Sequence, residues 1–102
     1  MNDRLLSFLG IARKAGKLCF GKDAALEAIR KGKAKLVLLS SDLSEKTAEK
    51  MQMLCFESET SLLTMEETMD QLETIFRRRT GILCITDAGF AGKAHTLADN
   101  RG

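Results

Sequence analysis

The chain has 102 residues, a formal net charge of +2, and no proline, tryptophan or tyrosine. That length suits one domain, residues 1–102, whose single core buries roughly two thirds of the surface; a net charge so near zero carries no argument for or against a nucleic-acid partner. The charge is unevenly placed: residues 1–35 carry nine Lys/Arg against three Asp/Glu, a balance of +6, and the remainder seven against eleven, a balance of −4. A basic face and an acidic, solvated face on the same domain are therefore expected.

Helix and strand periods alternate along the chain. Leu5, Phe8, Leu9 and Ala12 form a helical stripe that stops near Gly16, and residues 17–20 read as a short strand. Residues 22–31 form a second helix with Ala25, Leu26, Ala28 and Ile29 inward, ended by Gly32. Residues 36–40 show no alternation, as in a strand covered on both faces. Asp42 or Ser44 can cap a third helix with inner positions Ala48, Met51, Leu54 and Cys55.

The second half repeats this order. Residues 60–63 read as a strand, and Thr64 with Glu67 fits a capping box for a helix whose apolar stripe is Met69, Leu72, Ile75 and Phe76. Glu66 and Glu67 then belong to a solvated first turn, and with Asp70 and Glu73 they make an outward acidic face that a protein partner would use. Arg77, Arg78 and Arg79 lie in a loop, residues 82–86 are another buried strand, and Asp87 caps a last helix carrying Phe90, Ala94 and Leu97. Alternation of this kind predicts a mostly parallel sheet of about four strands in a three-layer α/β/α sandwich.

Most catalytic constellations do not fit. Gly21-Lys22 lacks the length and the Lys-Ser/Thr ending of a nucleotide P-loop, and Gly16 with Gly21 is no dinucleotide fingerprint. His95 is the sole histidine and has no Ser or Asp spacing that marks it as a base. Cys19, Cys55 and Cys84 are odd in number, widely spaced and set in apolar runs. They read as reduced core residues of a cytoplasmic protein rather than as metal ligands. The charged N-terminus is unlike a secretory leader, and runs such as Leu36–Leu39 are far too short to span a bilayer. No enzyme activity, metal, cofactor or membrane partner is expected.

The informative segment is residues 21–42. A glycine bend followed at once by a helix leaves backbone N–H groups unpaired at a partly positive helix end, which suits a phosphate. Lys14, Lys17, Lys22, Lys31, Lys33 and Lys35 lie nearby in sequence, and lysine contacts to phosphates supply affinity without reading sequence. The arginines at 77–79 are a second phosphate candidate. In a purely parallel sheet that loop and Gly21–Asp23 fall on opposite edges; only a mixed sheet lets them share a site. Without Tyr or Trp, a platform for stacking single-stranded RNA is poorly supplied.

Three blocks carry a resemblance: Leu9-Gly10-Ile11-Ala12-Arg13-Lys14-Ala15-Gly16-Lys17-Leu18, then Gly21-Lys22-Asp23, then Ala28-Ile29-Arg30-Lys31-Gly32-Lys33-Ala34-Lys35-Leu36-Val37. Together with Ile85-Thr86-Asp87-Ala88-Gly89-Phe90-Ala91, they resemble the ribosomal protein L-seven-Ae/L-thirty-e family, and within it the small bacterial YlxQ-like branch. The resemblance runs from about residue 4 to residue 98. It implies an α/β/α sandwich with a mixed four-stranded sheet, and binding to structured RNA; the chain is expected to act as a monomer. That RNA would be a kink-turn, a sharply bent helix with sheared G·A pairs, with ribosomal RNA and the ribosome as further candidate partners. The alternative is the same fold serving as a protein-interaction module or binding a different RNA.

Carried over by position, the family's RNA-reading segment is glycine, any residue, asparagine, glutamate, two residues, then lysine. Gly21 keeps the glycine and Lys22 follows it, but Asp23 replaces asparagine, Ala24 replaces glutamate and Glu27 stands where lysine is expected. Asparagine both donates to and accepts from a base edge; ionised Asp23 only accepts. The family's Leu-Gly step reads approximately Met69-Asp70. The loop that packs on an extruded base corresponds to Arg79, Thr80 and Gly81 with Ile82, and Ser41 and Asp42 fall on the loop after the second strand, near the same site.

Overall fold

Helices and strands alternate along residues 1–99, which the computed structural model describes. In chain order they are α1 (Asp3–Lys14), β1 (Leu18–Phe20), α2 (Lys22–Arg30), β2 (Leu36–Leu39), α3 (Glu45–Glu57), β3 (Ser61–Thr64), α4 (Met69–Phe76), β4 (Ile82–Ile85) and α5 (Ala88–Asp99). The four strands form one sheet in the order β1-β4-β2-β3. β2 pairs with β3 in parallel, whereas β4 enters between β1 and β2 and runs antiparallel to both. The mostly parallel sheet expected from alternation is thus corrected to the mixed sheet that the resemblance implies. The period shows that Ile82–Ile85 is buried on both faces but carries no information on strand direction.

The pleat divides the core in two. Leu36 and Leu38 of β2 with Leu83 and Ile85 of β4 face Leu5, Leu9, Leu72, Phe76 and Ala94, so α1, α4 and α5 cover this side. Val37 and Leu39 with Ile82 and Cys84 face the other way, toward Ala25, Ala28, Met51 and Cys55 of α2 and α3. Burial pushes the Cys84 thiol up to about 12 and raises that of Cys55, so both stay protonated at neutral pH.

Several local readings change. Leu54 and Ile75, expected inside, are 38% and 40% exposed. Ser44 caps α3 by accepting the Thr47 N–H (3.3 Å), while Asp42 turns away to a different helix. The capping box belongs to Thr68 and Gln71: Gln71 N donates to Thr68 Oγ1 (3.2 Å) and Thr68 N donates to Gln71 Oε1 (2.9 Å). Thr64 is taken by β3, where it pairs with Leu39, so the helix starts a turn later and satisfies the same pattern there. Glu67, expected in a solvated turn, is fully buried and its Oε2 accepts the Asn2 N–H at 2.7 Å. The outward acidic face therefore loses Glu67; Glu66 stays exposed and pairs with the Met1 N-terminus (3.2 Å), while Asp70 and Glu73 on α4 both hold Arg79. As expected, Asp87 starts α5 by accepting the Phe90 N–H (2.9 Å).

Candidate nucleic-acid interface

Because β4 is antiparallel to its neighbours, its first residue meets the last residues of β1 and β2. Gly21 N donates to Ile82 O (2.8 Å), and Ser40 N donates to Gly81 O (2.8 Å). Two bonds of this kind place the segment after β1, the loop after β2 and the loop before β4 on one edge of the sheet. Gly21, Lys22, Asp23, Ala24, Ser41, Asp42, Arg79, Thr80, Gly81 and Ile82 are all brought there.

Gly21 occupies φ +99°, a region that favours glycine. A Cβ there would meet nothing within 4 Å, so the backbone lies open. As N-cap of α2 it supplies no side-chain acceptor, and the amides of the first turn point outward past a residue without a side chain. Lys22 and Asp23 are exposed and Ala24 is half-buried. Gly81 stands in contrast: a Cβ there would lie 2.6 Å from Ser40 Oγ and 2.7 Å from Leu43 Cδ1. The two loops can pack at this edge only because residue 81 has no side chain.

Two of the charges at the edge, Asp42 and Arg79, already have partners. Asp42 accepts the Met69 N–H (3.0 Å) at the start of α4, and this bond holds its carboxyl below the usual range. Arg79 pairs with Asp70 and with Glu73 (3.2 Å), which raise its pKa. Thr80 Oγ1 accepts the Ile82 N–H (3.1 Å) and bends the loop on itself. Ile82 is only 3% exposed and sends its side chain into the α2–α3 core, so at this edge it contributes backbone. Glu27 lies further along α2, where Arg30 (2.7 Å) and Lys31 (3.0 Å) clasp its carboxylate and lower its pKa.

Lys33 and Lys35 are not brought to this edge. Lys33 N donates to Ala28 O and Lys35 N to Ile85 O, both 2.8 Å, at the opposite end of β4. Lys22 and Lys31 are likewise separated by the length of α2, about 13 Å at 1.5 Å per residue.

Reading the residues one at a time missed a cluster beside Gly21. The guanidinium carbons of Arg13 (4.9 Å) and Arg78 (5.2 Å) both lie over the Phe20 ring at the end of β1, which stands 5.6 Å from the Phe76 ring. Arg13 Nη1 also donates to Phe76 O (2.7 Å), satisfying a carbonyl at the C-terminus of α4. Arg77 ends that helix in the left-handed conformation, φ +61°. The three consecutive arginines thus take three courses: one caps a helix, one stacks on Phe20, and one binds α4's carboxylates. Cation–π contact holds two positive charges over Phe20, the residue before Gly21, on the side of the sheet covered by α1, α4 and α5. The only signal in the sequence was the Phe20-Gly21 junction, which needed the antiparallel β4 to meet the arginine run.

No helix is long and apolar enough to cross a membrane, and no group of three or more His, Cys, Asp or Glu gathers to hold a metal ion, both among the described residues.

Comparison with known proteins bears on the fold and the family. The chain is 34% identical over 91 residues to the RNA-binding protein YlxQ of Bacillus subtilis (strain 168), covering 89% of this chain and 91% of the relative. It is 32% identical to the RNA-binding protein YlxQ of Enterococcus faecium, covering 94% and 92%. A solved structure, of a protein with unknown function from Bacillus halodurans C, superposes with a TM-score of 0.85 at 28% identity over 94% of this chain and 97% of that one. Residues 3–94 match the family model, and the chain belongs to the ribosomal protein L7Ae/L30e/S12e/Gadd45 family.

Proposed function

We propose that this chain is a non-catalytic, monomeric, cytoplasmic binder of structured RNA, that it recognises a kink-turn or a kink-turn-like element of ribosomal RNA, and that the ribosome is a setting in which it meets that RNA. The observation that carries the reading is the convergence, through the Gly21–Ile82 and Ser40–Gly81 bonds, of the segments that the family pattern assigns to RNA. Affinity comes from phosphates held at the amide-rich start of α2 by Lys22 and by Arg13 and Arg78 over Phe20. The names of two relatives, both called RNA-binding proteins, support the ligand class.

Base reading at this edge differs from the family pattern. Asp23 brings an acceptor where a donor and acceptor are expected, Ala24 brings no polar group, and Glu27 is neutralised by its neighbours on α2. Shape and backbone contacts therefore dominate over base-edge hydrogen bonds. A gel-shift titration of a kink-turn duplex beside an unbent duplex of equal length tests the reading. Preferential binding of the bent RNA is expected; equal affinity for the two would remove the kink-turn assignment, and no binding to either would remove RNA.

A further inference from the structure

The end of the sheet opposite Gly21 carries charge that the first RNA contact does not use. Lys33 and Lys35 are exposed and, among the described residues, neither forms an ion pair, unlike Lys31 with Glu27 and Arg79 with Asp70 and Glu73. Beside Lys35 lies a groove of about 310 Å³ between the start of β2 and α5, lined by Leu36, Ser61, Ala91, Gly92 and His95. Its volume is at the lower end of those that hold a small ligand, enough for one sugar-phosphate unit. The floor is small and apolar. A Cβ added at Gly92 would meet nothing within 4 Å, so a nucleic-acid backbone can come close. His95 lines the groove with Lys35, and its Nδ1 lies 3.6 Å from Asp99 Oδ2.

Building on the RNA-binding reading, we propose that Lys33, Lys35 and the His95 groove form a second contact for phosphodiester groups of the same RNA, reached only when an arm of the bent helix is long enough. The two edges are joined by β4, about 10 Å of strand at 3.3 Å per residue, with lysine side chains extending beyond it. An RNA arm leaving the Gly21 edge along α2 meets Lys33 just beyond that helix, and from there Lys35 and the groove continue around the end of the sheet to the side of α5. Cations without a protein partner need break no ion pair to bind phosphate, so each adds directly to counterion release.

The experiment titrates the full chain with a bent duplex of short arms and with versions in which each arm in turn is extended by one helical turn, across a salt series. Parent, the Lys33→Ala/Lys35→Ala double variant and His95→Ala are compared; all three positions are exposed, and matching thermal melts check folding. One extended RNA is expected to bind the parent about tenfold tighter, with a salt slope steeper by about 1.4–1.8 for two added contacts. The double variant should lose both gains and match the parent on the short RNA, and His95→Ala should lose part of the affinity gain. Equal binding of short and extended RNAs by the parent, or a double variant that keeps the gain, overturns the second contact and leaves the first edge standing. No preference for the short bent duplex over an unbent one overturns the first edge and this proposal with it.

Discussion

At the end of the sheet where β1 and β2 stop and β4 begins, the loop after β2 and the loop before β4 are tied to each other and to α4; at the opposite end the backbone is bonded but lysine side chains stand apart. Ser40 N, Gly81 O, Asp42, Thr80 and Arg79 are all engaged within the first edge, and Gly81 has no room for a methyl group. Across the sheet, Lys33 and Lys35 carry charge without an ion pair among the described residues, and Gly32, at φ +71°, has nothing within 4 Å of its Cβ position. A crowded edge holds a fixed shape, which is what recognition of a bent RNA requires. An open basic edge supplies attraction that follows salt and length more than shape.

The glycines test this contrast most directly. Gly81→Ala should lower the unfolding free energy by about 2–3 kcal/mol, the upper part of the range for overpacking, in chemical denaturation. Gly32→Ala keeps its space and pays only for the left-handed backbone, about 1 kcal/mol. A cost at Gly32 that equals the cost at Gly81 would break the comparison, because crowding would then not distinguish the edges.

Restoring the family pattern sharpens the comparison from the side of binding. Asp23→Asn, Ala24→Glu and Glu27→Lys together should tighten binding to a standard kink-turn by about 1–3 kcal/mol through recovered bidentate and charge-assisted contacts. Parent and triple variant are titrated on the same RNA at fixed salt. Unchanged affinity would mean that the start of α2 does not touch base edges.

The smallest effect is in acid. The Met69 N–H holds the Asp42 carboxyl below its ordinary value, so between the two values the unfolded chain binds the extra proton. The stabilisation is complete above the unfolded pKa and is lost as pH falls below about 4 and through the folded value. Asp42→Asn keeps an acceptor for Met69 N without that titration. Denaturation midpoints followed downward from pH 6 should fall less steeply in Asp42→Asn than in the parent; parallel curves would show that the tie between the loop after β2 and α4 does not depend on charge.

Stripes at helical spacing announced five helices, and uninterrupted apolar runs announced β2 and β4, because those signals depend on neighbours a few residues away. Ser44, among the caps considered, and Asp87 act where their spacing put them for the same reason. Glycine at 21, with the helix that follows it, was legible as an open amide-rich turn, and the family pattern drew attention to the loops at 41–42 and 79–81. Strand direction was not legible in the periods, since a strand buried on both faces reads the same in either sense, and that direction decides whether the loop before β4 meets Gly21 and the loop after β2. Glu67 looked like any exposed glutamate until Asn2, 65 residues away in sequence, supplied its partner. The Phe20–Arg13–Arg78 cluster likewise joins three distant segments. The sequence by itself determined which segments form elements and which faces they bury; the mixed sheet decided which of their ends meet, because only long-range pairing sets the direction of β4.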